Sequence, residues 1–274
     1  MVQAADVHMY ILAVKALYRR LGGGKIVAIV LRNFAESYRT LMRKHLGPVE
    51  FHHLEDLPVG NCQRGGTWER LIFCVDRSAR EFVIQIDADI LCIGPIEEVC
   101  QCVEENRAFV LAEGIPVQPL PNWVEKGIKR KSDNIVTTFE VKASEFPDAA
   151  NWNYVRGSSG FAGFARGGVT RALLETFHAG GLKVHGARWT EWGTEQIASN
   201  FAIANMPNSL PLPYPKYSTF EPDYATFQRQ GITDKMSLLH FIGAFRFDGG
   251  VYPTLANREI DDMLRRELEP RIAS

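Results

Sequence analysis

Apolar residues at 7, 10, 11, 14, 17, 18 and 21 recur at helical spacing, so residues 6–21 read as an amphipathic helix. Gly22-Gly23-Gly24 ends it. Lys25–Leu31 then reads as a buried strand, Ala35–His45 as a helix stopped at Gly47-Pro48, and Val49–His53 as a short strand. The pattern continues with a helix over Thr67–Cys74, a strand over 82–86, a helix over Glu97–Asn106 and a strand over Phe109–Ala112. Alternating helices and strands predict an α/β fold with a mostly parallel central sheet covered by helices on both faces. Such folds normally open on a strand, whereas this sequence opens on a helix. Either the topology differs or a first strand lies upstream of Met1.

The second half is less regular. Residues 114–135 hold three prolines and the basic cluster Lys126, Lys129, Arg130 and Lys131, in a long loop or short helix. That cluster is either a solvated face or a contact for an anionic acceptor. Asn151–Ala165 reads as a loop running into a strand, and Val169–Ala179 as a helix ended by Gly180-Gly181. Thr194–Ala204 is a helix with Thr194 as its cap, and the proline-rich stretch 206–223 is coil. Ser237–Phe241 is a short strand, and 255–268 a charged helix. No repeat or linker interrupts the chain. The economical reading is one domain over 1–274, with a nucleotide-sugar and metal-binding half at 1–112 and an acceptor-side half at 113–274.

Composition narrows the function classes. Hydrophobic residues make up 46% and charged residues 23% of the 274, which is ordinary for a globular protein. The formal charge of −1 gives no global field for nucleic acid. Five cysteines without regular spacing (Cys62, Cys74, Cys92, Cys100 and Cys102) read as reduced, mostly buried thiols. No apolar run reaches the roughly 18 residues of a bilayer span, and no basic-then-apolar leader is present. A cytoplasmic protein is expected, at most peripheral to the inner membrane face.

The chemistry concentrates at residues 82–89, Phe-Val-Ile-Gln-Ile-Asp-Ala-Asp. An apolar strand ending in Asp87-x-Asp89 puts two carboxylates at a strand's carboxyl end, where open α/β sheets bind ligands. Paired carboxylates are hard ligands for Mg²⁺ or Mn²⁺ held together with substrate phosphates. An acidic turn is the plainer alternative.

Further segments resemble the family 8-type glycosyltransferases of the GT-A fold. Val83–Leu91 is similar to the family's YLDxDxxV strand, and Arg70 sits in the preceding helix where the family carries an Arg. Leu239-His240-Phe241-Ile242-Gly243-Ala244-Phe245-Arg246 resembles the HFxGxxKPW motif, with Arg246 for Lys and Phe247-Asp248 for Pro-Trp. Weaker likenesses are Gly157-Ser158-Ser159-Gly160-Phe161, lacking the family's Asn, and Glu195-Gln196 with Asn200, where Glu195 replaces Asp.

The resemblance implies a metal held by Asp87, Asp89 and His240, with Mn²⁺ preferred over Mg²⁺ for the imidazole ligand. It implies donor contacts from Arg70, Asp87, Ser159, Gly160, Gly243 and Arg246, Gly243 letting backbone approach the diphosphate. Gln196 and Glu195 would stand at the reacting face of the sugar in a retaining transfer, and Ser158 could meet donor hydroxyls. Trp152, Tyr154, Trp189 and Trp192 are candidates either for stacking on sugar rings or for the core. Asp6 and Tyr10 are possible remnants of the family's opening D-x-x-Y.

The expected activity is therefore sugar transfer from a nucleotide-sugar donor, UDP-linked, to a glycan or lipid-linked acceptor. One alternative is a degenerate, catalytically weak relative that binds or scaffolds. Another is a sugar-1-phosphate nucleotidyltransferase, which needs a Gly-rich phosphate loop after a strand. A second copy of the chain could complete the open start of the sheet as a homo-oligomer.

Overall fold

The amphipathic helix α1 (Val7–Leu21) ends at Gly22, whose φ of 84° is the left-handed conformation that favours glycine. It leads into β1 (Ile26–Val30), then α2 (Glu36–Leu46), β2 (Val49–His53), α3 (Trp68–Ser78) and β3 (Val83–Ile86). This computed structural model describes residues 1–112, 114–220, 232–243 and 245–272. Ala244 of the Leu239–Arg246 motif and residues 221–223 of the proline-rich coil lie outside the described residues. The chain continues through β4 (Ile90–Cys92), α4 (Glu97–Glu104), β5 (Phe109–Ala112), β6 (Gln118–Pro119), α5 (Trp123–Arg130), α6 (Ile135–Val141), β7 (Asn153–Tyr154) and β8 (Gly157–Phe164). It closes with α7 (Arg171–His185), α8 (Thr194–Ala204), β9 (Leu210–Pro211), β10 (Tyr217–Thr219), β11 (Leu238–His240) and α9 (Val251–Ile272).

The fold is mixed α/β, but its sheets are small and mixed in direction. β1 and β2 pair in parallel, Ile26 opposite Val49. A second sheet has the order β3-β8-β5-β9, with β3 and β5 both antiparallel to β8 and β9 parallel to β5. A third has the order β10-β11-β4, with β10 parallel and β4 antiparallel to β11. The mostly parallel sheet expected from helix–strand alternation is thus corrected. The apolar run of β3, whose Val83, Ile84 and Ile86 are half-buried, carries no information about the direction of its neighbour. β8, made of Gly, Ser, Ala and Phe, lies beside it because those small residues let aromatics pack across the ladder: a Cβ on Gly163 would lie 2.3 Å from Phe109.

One helix boundary and one helix cap also differ from the sequence reading. α7 runs through Gly180-Gly181 instead of ending there. A Cβ at Gly181 would lie 2.0 Å from the buried Trp189 ring, so the glycine serves close packing. The residue before α8 is Gly193 at φ 104°, and Thr194 is not its cap. The Thr194 hydroxyl donates to the Glu191 carbonyl at 3.1 Å and accepts from Trp68 Nε1 at 3.1 Å.

The basic cluster falls on and just after the amphipathic α5. Lys126 binds Gln118 at 2.7 Å and lies over the Trp123 ring, Lys129 pairs with Glu125 at 2.6 Å, and Arg130 reaches the buried Glu140 at 3.0 Å. Lys129 and Lys131 are exposed, while Lys126 and Arg130 are half-buried. α6 had no expectation in the sequence; the Asn134 side chain caps it by accepting from the Thr137 amide at 2.8 Å. The five cysteines are free thiols, four of them buried. Among the described residues no helix is long and apolar enough to cross a membrane.

Candidate metal and ligand site

β3 ends where its carboxylates are needed. The Asp87 amide donates to the Gly160 carbonyl at 2.8 Å, continuing the β3–β8 ladder by one rung. The Ile90 amide then donates to the Asp87 carbonyl at 3.2 Å, and the turn delivers the chain into β4. β4 pairs with β11 so that Ile90 faces His240, and the Phe241 amide donates to the Asp89 carbonyl at 2.8 Å. Residues about 150 apart in sequence are thus locked side by side by backbone hydrogen bonds. Gly160 leaves room for the imidazole: a Cβ there would lie 2.5 Å from His240 Cε1.

One donor atom from each of Asp87, Asp89 and His240 lies within 4.8 Å of the others. Asp89 is buried, with Oδ1 3.3 Å from His240 Nε2 and Oδ2 accepting from Arg246 Nη2 at 2.7 Å. Burial pushes the Asp89 carboxyl up, but His240 and Arg246 outweigh it and hold it below the usual carboxylate range. The other ring nitrogen of His240 is 3.0 Å from the Ser158 hydroxyl, which fixes the ring plane. Arg246 also reaches Asp6 Oδ1 at 3.0 Å, tying the start of α1 to the site.

A second buried cluster adjoins the first. Arg70 of α3 pairs with Asp87 and lies 3.5 Å from both Glu195 and Ser159. Glu195 is buried and accepts from Ser159 Oγ at 2.9 Å and Thr67 Oγ1 at 3.0 Å. Its Oε1 is buried without a partner among the described residues. Burial raises the Glu195 pKa despite Arg70, Ser159 and Thr67. Thr67 has φ 72°, a left-handed backbone that costs a β-branched residue of order 1 kcal/mol. Its hydroxyl stands between the Gly66 carbonyl and Glu195 Oε2.

Both clusters line one cavity of about 350 Å³. The residues assigned from the sequence to the metal, the donor and the reacting face all border it, Gln196, Gly243 and Arg246 among them, and so does Ser158. A Cβ on Gly243 would meet nothing within 4 Å among the described residues, so close backbone approach there is open to a ligand. Asn200 is different: its Nδ2 donates to the Gly157 carbonyl at 2.8 Å, which makes it a brace for β8. Of the four aromatics, Tyr154 and Trp189 are core residues and Trp152 packs edge-on against Phe201. Trp192 alone among them borders the cavity, and it is 81% exposed. None of the four basic residues of the cluster after residue 125 lies at the cavity.

Sequence reasoning missed Thr67, which no motif marks. It also gave Asp6 no place at the metal ligands; the only hint was its family-like position at the head of α1.

The donor set suits a divalent cation. Asp6, Asp87, Asp89 and Glu195 face Arg70 and Arg246, which is four carboxylates against two guanidiniums. The Met1 amino group also borders the cavity, but burial lowers its pKa to about 6, so at neutral pH it adds little positive charge. Two carboxylate oxygens and an imidazole nitrogen are ligands that Mn²⁺ and Mg²⁺ accept. A scan of protein-family models finds no match for this chain, and a search of curated proteins finds none either.

Proposed function

We propose that this protein is a metal-dependent glycosyltransferase built on a GT-A-type fold, moving a sugar from a UDP-linked donor to a glycan or lipid-linked acceptor, with retention. The observation that carries the reading is the meeting of Asp87, Asp89 and His240 at one end of a cavity that Arg246 and Glu195 also line. Asp87, Asp89 and His240 would hold Mn²⁺ or Mg²⁺. When bound, such an ion neutralises the charge that a diphosphate gains as the glycosyl bond breaks.

The chain's own residues supply the rest. Arg246 offers a planar, bidentate cation to phosphate oxygens. The exposed Gly243 backbone lies open beside it, and Ser159 and Gly160 border the donor side. Arg70 orients Asp87 and balances Glu195 across the buried floor. Glu195, held by Thr67 and Ser159, and its neighbour Gln196 present polar groups to the sugar's reacting face. Trp192 offers an open indole face to an acceptor ring.

One observation favours the second reading, a degenerate relative that binds or scaffolds. Arg246 holds Asp89 Oδ2 and Asp6 together, so an internal cation already stands at a ligand carboxylate. In a working enzyme Arg246 must exchange that carboxylate for a phosphate. The nucleotidyltransferase reading has less behind it, because Gly22–Gly24 close a helix instead of forming a phosphate loop after a strand.

Calorimetric titration of UDP with and without Mn²⁺ separates these. The expected result is binding that requires Mn²⁺ and falls at least tenfold in Asp89→Ala, with the Arg246→Ala loss larger for UDP than for uridine. Binding that ignores Mn²⁺ and survives Asp89→Ala would refute the metal site. No UDP binding under either condition would favour the scaffold.

A further inference from the structure

The rim of the candidate cavity carries a side chain that the core does not explain. Among the residues bordering the cavity, Gln3, Gly66, Trp192 and Gly243 are exposed. An indole in water leaves a large apolar area unburied, and such exposed surface marks binding. Trp192 packs on no other ring, and its N–H has no acceptor among the described residues.

The backbone beneath that indole is braced on both sides. Trp189, three residues earlier, is buried in the aromatic core. Arg188 donates to the two Glu191 oxygens at 2.8 and 3.2 Å and to the Asp133 carbonyl at 2.6 Å. On the other side, the Thr194 hydroxyl binds both the Glu191 carbonyl and the Trp68 indole. The chain is thus held before and after Trp192 while the side chain between stays in the open. A fixed backbone presenting a free aromatic ring loses little conformational entropy when a ligand seats on it.

The groups around the indole decide what can lie there. Among the described residues no lysine borders the cavity. Its two guanidiniums are engaged, Arg70 by Asp87 and Glu195, Arg246 by Asp89 and Asp6. A phosphate or carboxylate arriving at the rim would give up water and meet carboxylates, with no free cation to offset the loss. The two polar side chains there that make no hydrogen bond among the described residues are carboxamides, the exposed Gln3 and the half-buried Gln196. Each offers an uncharged donor and an uncharged acceptor, which is what hydroxyl groups need. A pyranose ring meets both demands, with C–H faces for the indole and hydroxyls around its edge for the amides.

Given the glycosyltransferase reading above, on which this rests, we infer that Trp192 is the acceptor platform and that the ring seated on it is a neutral sugar. The acceptor is then an uncharged glycan end and not a lipid phosphate. Asp89, His240 and Arg246 take the diphosphate at one end of the cavity, and Trp192 takes the acceptor at the other, with Glu195 and Gln196 between them.

Acrylamide quenching of tryptophan fluorescence reads Trp192 almost alone, because Trp68, Trp123 and Trp189 are fully buried and Trp152 is half-buried. The probes are lactose, maltose and N,N′-diacetylchitobiose, with glucose 6-phosphate and glucuronate as charged counterparts, each added in the presence of UDP and Mn²⁺. At least one neutral disaccharide is expected to lower the quenching constant at least twofold, and the charged sugars to leave it unchanged. Protection by none of the three neutral sugars, or equal protection by the charged ones, would overturn the platform. Protection by UDP and Mn²⁺ alone would put Trp192 over the donor base and overturn it as well. Saturation-transfer NMR on the protecting sugar gives a second readout, expected to persist in Trp192→Phe and vanish in Trp192→Ala; a signal surviving in both would sink the stacking role. If a neutral sugar protects while UDP fails to bind in the calorimeter, the sugar platform stands and the transferase reading falls. If UDP binds with Mn²⁺ and no sugar protects, the platform alone falls.

Discussion

Gly160 shows how much of the site rests on one missing methyl group. Its carbonyl accepts the Asp87 amide, and its bare Cα lies against the imidazole of His240. The ring cannot step aside, because Ser158 holds one nitrogen and Asp89 the other. Gly160→Ala is therefore expected to push His240 out of line with the two carboxylates. Titration of Mn²⁺ should show at least a tenfold weaker affinity, with a stability loss of about 1–3 kcal/mol for overpacking. Unchanged affinity would remove His240 from the ligand set. The Gly160 position was marked in the sequence only through a resemblance. Its contact with a residue 80 positions later needed the fold.

At the scale of elements, the same chemistry carries opposite meanings in different places. Gly22-Gly23-Gly24 ends α1, as its sequence promised. Gly180-Gly181, which looks the same, sits inside α7 because the Trp189 indole lies where a Cβ would be. A helix-interior Gly→Ala change usually gains up to about 1 kcal/mol. Gly181→Ala is expected to do the reverse and destabilise by about 1–3 kcal/mol, measured by urea unfolding. A gain in stability would mean that Trp189 can move away and that the helix tolerates alanine there. Gly180 is the milder case, with its nearest neighbour, Phe146, at 3.2 Å from the added carbon.

Across the whole molecule, the aromatic core around Trp189 sets a pH limit on stability. His185 is stacked on Trp189 at 5.5 Å, and its Nε2 is buried without a partner among the described residues. Burial, with Lys142 and Arg188 nearby, lowers its pKa from 6.5 to about 4. The unfolded chain therefore takes up the proton first as pH falls. This contribution is complete above about pH 6.5 and is lost as pH drops toward 4, by at most about 3 kcal/mol. His185→Phe should flatten that part of the profile, read from urea midpoints at pH 7 and pH 4.5; an unchanged slope would place the titration elsewhere. The sequence by itself determined the elements with clear patterning, such as the amphipathic α1 and the apolar run of β5, and the paired carboxylates Asp87 and Asp89, whose chemistry announces itself; His240 and Arg246 were legible only through a resemblance. These are local matters, since spacing fixes which face is apolar and side-chain type fixes what can hold a cation. Only the tertiary structure decided that β3 runs antiparallel to β8, that Glu195 is buried beneath Arg70 with Thr67 strained against it, and that Trp192 is open while Trp189 is core. Each of these depends on which distant segment becomes a neighbour, and burial, pairing direction and charge balance are properties of that neighbour as much as of the residue itself.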